Sequence, residues 1–77
     1  MHIHVKYFGQ IAEATKLESE TIECHGTQIA NVLNIICAKH ELLNNKKFTV
    51  AQNQEFVDPE TLLTGAEIAL LPPFSGG

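Results

Sequence analysis

The stretch that most narrows the possible folds is "HGTQIANVLNIICAKHELL", residues 25–43. Within it Ile29, Val32, Leu33, Ile36, Cys37 and His40 recur at i, i+3, i+4, i+7, i+8 and i+11, one stripe of a helix with 3.6 residues per turn. Thr27, preceded by Gly26, is the expected N-cap. Lys39 and His40 fall in the last turns, where positive charge complements the helix dipole, and "NNKK" at 44–47 closes the element. The chain carries one long helical pattern of this kind. An amphipathic helix cannot bury its stripe alone, so the remaining residues must supply a surface for it.

That surface reads as a sheet. Residues 2–8 alternate, with Ile3, Val5 and Tyr7 on one face and His2, His4, Lys6 and Phe8 on the other, a strand periodicity that Gly9 ends. "QIAEATKLE" at 10–18 lacks clear turn chemistry and reads as a connecting loop. Alternation returns at 20–24, with Ile22 and Cys24 on one face, so the first two strands suggest a hairpin. "FTVAQ" at 48–52 reads as a third strand, and "NQ" at 53–54 turns into a short fourth at 55–57. "DPE" at 58–60 is a turn in which Asp58 accepts a local backbone hydrogen bond. "ETLL" forms one helical turn that packs Leu62 and Leu63, and "EIALL" at 67–71 is the last strand. The order β-β-α-β-β-β predicts an α+β fold, a ubiquitin-like β-grasp with a mixed sheet of four to five strands packed against one main helix. A ferredoxin-like fold needs a second helix of comparable length, and an OB-fold needs five long strands. All of residues 1–77 form one domain, with 72–77 a protruding tail.

Composition removes several function classes. Nine acidic and five basic residues give a net charge of −4, against the clustered cations that neutralise phosphates, so no nucleic acid partner is expected. No apolar run approaches the eighteen or so residues of a membrane span, and the alternating start lacks a signal peptide's apolar region; a cytoplasmic chain without a membrane partner is expected. Cys24, His25, Cys37 and His40 offer sulfur and nitrogen ligands, but Cys37 shares the core stripe and structural zinc favours tighter knuckles. Two core cysteines are the simpler reading, with no metal. Glu41, Glu55, Glu60 and Glu67 read as solvated surface, and His40 as a helix-end residue at the core margin. No Gly-rich phosphate loop, Ser/His/Asp pattern or supported carboxylate pair is present.

The chemical feature is the ending, "LLPPFSGG". Pro72 and Pro73 supply no N–H, so the sheet ladder stops there, and two prolines in series favour a stiff, extended segment. From Pro72 to Gly77 the chain can reach roughly 18–20 Å. Gly and Ser are also ordinary material for a frayed end, but a frayed end needs neither a stiff spacer nor an isolated aromatic. Burial of Phe74 in a partner pocket would contribute about 1.5–3 kcal/mol. Gly76 and Gly77 can pass a narrow channel and present a carboxylate to a reacting atom. A carboxylate is a poor electrophile; adenylation would activate it, and a sulfur nucleophile displacing AMP would leave a thiocarboxylate. The activating chemistry would belong to another protein.

The whole chain resembles the small, sulfur-carrier subunit of molybdopterin synthase, the MoaD family. The resemblance rests on "VKYFGQIAE" at 5–13, "AQNQEFV" at 51–57 and above all "TGAEIALLPPFSGG" at 64–77. It implies a carrier subunit that does not itself catalyse, whose Gly77 carboxylate is adenylated by an E1-like adenylyltransferase consuming ATP. A sulfur donor then converts the adenylate to a thiocarboxylate. Two small subunits would join two large catalytic subunits, insert their tails and donate sulfur to cyclic pyranopterin monophosphate, forming the molybdopterin dithiolene. No cofactor would be bound by the chain itself. The implied docking residues are Phe8, Leu70, Leu71, Pro72, Pro73, Phe74, Ser75 and Gly76, with one of the two leucines turned toward the partner. Leu70 and Leu71 stand where many relatives have a Phe-Phe pair. Mobility is expected from Phe74 onward until a partner binds. The same tail would also suit the sulfur carrier of thiamine synthesis, which usually lacks the Pro-Pro spacer. A tRNA-thiolation carrier, a lysine-conjugated modifier and a binding module with an inert tail are further alternatives.

Overall fold

The computed structural model describes residues 1–64 and 67–73. Its elements are β1 (His2–Tyr7), α1 (Gln10–Thr15), β2 (Ser19–Glu23), α2 (Ile29–Lys39), a 3₁₀ turn (Glu41–Asn45), β3 (Thr49–Gln52), β4 (Glu55–Phe56) and β5 (Ile68–Leu71). The strands form one mixed sheet in the order β2-β1-β5-β3-β4, covered on one face by α2. This is the ubiquitin-like β-grasp expected from the period pattern. β1 and β2 are antiparallel, β1 and β5 parallel, and β3 pairs antiparallel with both β4 and β5. The last strand thus lies at the centre, between β1 and β3.

Alternation sorts the core. Ile3, Val5, Tyr7, Ile22, Val50, Ile68 and Leu70 point to the helix side, where Ile29, Val32 and Ile36 of α2 meet them. Leu33 and Cys37 flank the stripe, partly buried. Full burial of each such aliphatic side chain is worth about 1.5–3 kcal/mol, the main source of stability in a domain this small. The β3–β4 connection is a two-residue loop in which Asn53 and Gln54 both adopt positive φ, 55° and 66°, the handedness a tight hairpin requires.

Four local expectations are corrected. Residues 10–15 are helical, not loop: Ile11 and Thr15 are buried one turn apart, and Lys16 stops the helix in the left-handed region at φ 63°, without the usual glycine. The N-cap of α2 is Gln28 rather than Thr27, because the Gln28 N–H is accepted by Asn31 Oδ1 at 2.9 Å. "ETLL" is not a helical turn. Residues 58–63 instead lie along the start of α2, where the Pro59 and Thr61 carbonyls accept the Ala30 and Ile29 N–H groups at 2.7 and 2.9 Å. Those amides have no partner within their own helix, and the segment satisfies them; Leu63 is partly buried, while Leu62 is exposed. The bond at Asp58 is accepted by its backbone carbonyl, from Thr61 N at 3.0 Å. Finally, the chain leaving α2 forms the 3₁₀ turn, which buries Leu43 before "NNKK" is complete.

Among the described residues, no helix is long and apolar enough to cross a membrane.

Candidate functional site

Among the described residues no element lies over the face of the sheet away from α2, and the residues of that face follow from strand register. Lys6 lies beside Ala69, Ala69 beside Ala51, and Ala51 beside Phe56, one row across four strands. Two alanines in the middle of that row make a floor. Phe56 and Phe8, 57% and 44% exposed, rise around it with Leu71. The result is a hollow of about 500 Å³ whose apolar floor is bordered by Lys6, Asn53, Gln54 and Glu67 as well as by the aromatic side chains. Lys6 Nζ pairs with Glu67 Oε1 at 3.3 Å on its rim, and His4 Nε2 is 4.0 Å from Glu67 Oε2. Side chains of this kind on an open face cost solvation free energy unless a partner covers them.

Of the site residues expected from sequence, Phe8 and Leu71 meet on this face. Leu70 does not: it is 0% exposed, on the helix side of β5, since adjacent strand residues point opposite ways. Its place in the docking set is corrected accordingly, and Leu71 is the leucine turned outward. Pro72 is half-buried and Pro73 exposed at the end of β5. The parallel pairing of β1 with β5 brings Phe8, Leu71 and the root of the tail to one end of the sheet. Phe74, Ser75, Gly76 and Gly77 lie outside the described residues. Sequence reasoning missed Ala51, Phe56, Ala69 and the Lys6–Glu67 pair. The unused signal was "IALL": apolar residues at both parities call for a cover on both faces.

On the helix side a polar cluster joins the end of α2 to the sheet. Tyr7 Oη donates to Glu20 Oε2 at 2.5 Å, His40 Nε2 lies 2.7 Å from the same oxygen, and Lys39 Nζ donates to Glu20 Oε1. Burial alone would raise the Glu20 pKa, but the hydrogen bonds from Lys39, Tyr7 and His40 prevail and hold it at about 2. Burial, reinforced by the Glu20 carboxylate, pushes the Tyr7 phenol far above its ordinary range. His40 is therefore committed to Glu20 rather than to a cysteine cluster. Cys24 is buried, and burial pushes the Cys37 thiol up, away from the thiolate a metal or a nucleophile needs. This cluster fastens the fold, and its groups face each other instead of a cavity.

Residues 5–77 match the model of the ThiS family. The chain is 37% identical to the molybdopterin synthase sulfur carrier subunit of Chlamydomonas reinhardtii, covering all of both chains. Among solved structures it is similar to a complex of subunits 1 and 2 of the molybdopterin-converting factor from Helicobacter pylori, with 31% identity, a TM-score of 0.69 and full coverage of both chains. It is also similar to the small archaeal modifier protein 1 of Methanosarcina acetivorans, at 25% identity and a TM-score of 0.81, covering 99% of this chain and 96% of that one.

Proposed function

The chain belongs to the ThiS family of ubiquitin-like β-grasp sulfur carriers, and from that premise we propose that it is the sulfur-carrier subunit of a molybdopterin synthase. The observation that carries the choice of pathway is the 37% identity along the full length of the algal sulfur carrier subunit. The geometry supports the reading: Phe8 and Leu71, at one margin of the hollow, lie beside the root of the tail at one end of the sheet. A partner seated on Phe8, Phe56 and Leu71 would therefore receive Pro72 and all that follows.

The chemistry proceeds in three steps. An E1-like enzyme lets the Gly77 carboxylate attack the α-phosphate of ATP, releasing pyrophosphate and leaving an acyl adenylate. A sulfur donor then displaces AMP and forms the thiocarboxylate. In the complex, two large subunits each take one tail, with Phe74 anchoring it and Gly76 and Gly77 threading the sulfur forward. Each thiocarboxylate gives one sulfur to cyclic pyranopterin monophosphate while water regenerates its carboxylate, so the two sulfurs of the dithiolene take two carrier turnovers. The chain supplies the docking face, the spacer and the carried group; the catalytic residues belong to the large subunit.

Deleting Gly77 tests this in a reconstituted mixture of both subunits, activating enzyme, ATP and sulfur donor. Molybdopterin formation is expected to vanish while the thermal transition stays in place. Undiminished synthesis by the shortened chain refutes the carrier role. The similarity to an archaeal modifier protein favours one second reading, attachment of the activated tail to lysines. Under that reading the same mixture would yield covalent conjugates of this chain and no molybdopterin.

A further inference from the structure

The register of β1 against β5 places Tyr7 beside Leu70; carried two residues onward, it sets Gly9 beside Pro72. The Phe8 N–H donates to the Leu70 carbonyl at 3.1 Å, holding the two strand ends together. Gly9 then turns with φ 55° and ψ −130°, a conformation open to glycine and strained for any L side chain. A Cβ on Gly9 would lie 2.8 Å from Pro72 Cγ and 3.4 Å from Pro72 Cδ. The proline ring is thus seated on bare backbone, in space that even one methyl group would take.

The seat matters because of what hangs from it. Pro72 has its φ fixed by its ring, and the Pro72–Pro73 pair favours a stiff extended segment. A tilt of about 10° at the root of the stiff Pro72–Pro73 pair, roughly 6 Å long, moves the point from which the rest of the tail starts by about 1 Å. A displacement of about 1 Å at a reacting atom can cost on the order of 100-fold in rate.

We infer that Gly9 is a positioning residue for sulfur donation, its missing side chain seating Pro72 so that the tail leaves the sheet along one direction. The role rests on the sulfur-carrier reading above. Gly9 touches no reacting atom; it acts through the proline ring.

The test uses full-length carriers, wild type, Gly9→Ala, Pro72→Ala and the double variant, each thiocarboxylated and mixed with the large subunit. A further carrier with D-alanine at position 9, made by chemical synthesis, relieves the positive-φ strain and turns its methyl group away from Pro72. Single-turnover sulfur transfer from Gly9→Ala is expected to slow about tenfold or more, with Kd for the large subunit changed less than about threefold. The D-alanine carrier should donate at the wild-type rate. In chemical denaturation the double variant should lose less stability than the two single losses added together, the mark of a shared contact. Wild-type transfer by Gly9→Ala overturns the inference, as does a loss matched by weaker docking, or strict additivity in denaturation. A wild-type chain that takes up no sulfur removes the carrier reading and Gly9's part in donation with it, while the denaturation cycle still reports on the seat. The two failures are therefore distinguishable.

Discussion

The two faces of the sheet are built from the same strands and answer to different demands. On the helix side, Ile3, Val5, Ile68 and Leu70 are fully enclosed against α2, and the Glu20 cluster ties the helix end down. On the other side, Ala51 and Ala69 leave a hollow that Phe8 and Phe56 border without filling. One face is saturated by the chain itself. The other leaves Phe8 and Phe56 about half exposed, and exposed aromatic side chains gathered on one face are the usual mark of a docking surface. The difference separates what the domain needs to fold from what it needs a partner for.

The largest stability effect is expected on the enclosed face. Ile36→Ala should cost about 2–5 kcal/mol, a lost transfer term plus a cavity, a large share of the stability of a domain this size; urea denaturation measures it. Activity per folded molecule should be unchanged. On the open face, Ala69→Glu puts a charge on the floor of the hollow, where docking would desolvate it. Its Kd for the large subunit should rise about 100-fold or more, as titration calorimetry can read, with the urea midpoint nearly fixed. If Ala69→Glu instead unfolds the protein, or Ile36→Ala weakens docking in proportion, the division between faces fails.

A smaller effect distinguishes the Glu20 cluster from an ordinary surface pair. Glu20 ionises at about 2 in the folded chain against an ordinary value of 4.5. A depressed carboxylate stabilises the fold above its unfolded pKa and loses that contribution as pH falls toward its folded value. The wild type should therefore lose about 2–3 kcal/mol between pH 4.5 and 2 from this group. Glu20→Gln should be less stable at neutral pH and should lack that part of the acid limb, which urea denaturation across pH would show. The smallest effect belongs to the rim. Lys6 and Glu67 are about half exposed, so Lys6→Ala should change stability by less than about 1 kcal/mol. Its signature would be a changed salt dependence of association with the large subunit, followed by stopped-flow mixing.

Much of this division was legible in the residues before any coordinates. The helical stripe from Ile29 to His40 and the alternation of Ile3, Val5 and Tyr7 define the enclosed face, and the Pro-Pro pair marks the end of the ladder. The open face was less legible because it depends on pairing between strands. Ala51 and Ala69 become neighbours only through the β3–β5 register, and Phe56 sits in a strand of two residues, too short to show a period. Glu20 was overlooked although it shares the inward parity of Ile22 in β2. A charge at such a position signals a partner reaching it from elsewhere in the fold, here Tyr7, Lys39 and His40. α1 escaped notice because six residues show little periodicity and its stop is a left-handed lysine.

The most direct test of the carrier function is the intact mass of the chain after incubation with ATP, an E1-like activating enzyme and a sulfur donor. The expected result is a gain equal to the exchange of one oxygen for one sulfur, located at Gly77 and absent when Gly77 is deleted. An unchanged mass, under conditions in which a control carrier is converted, would contradict it.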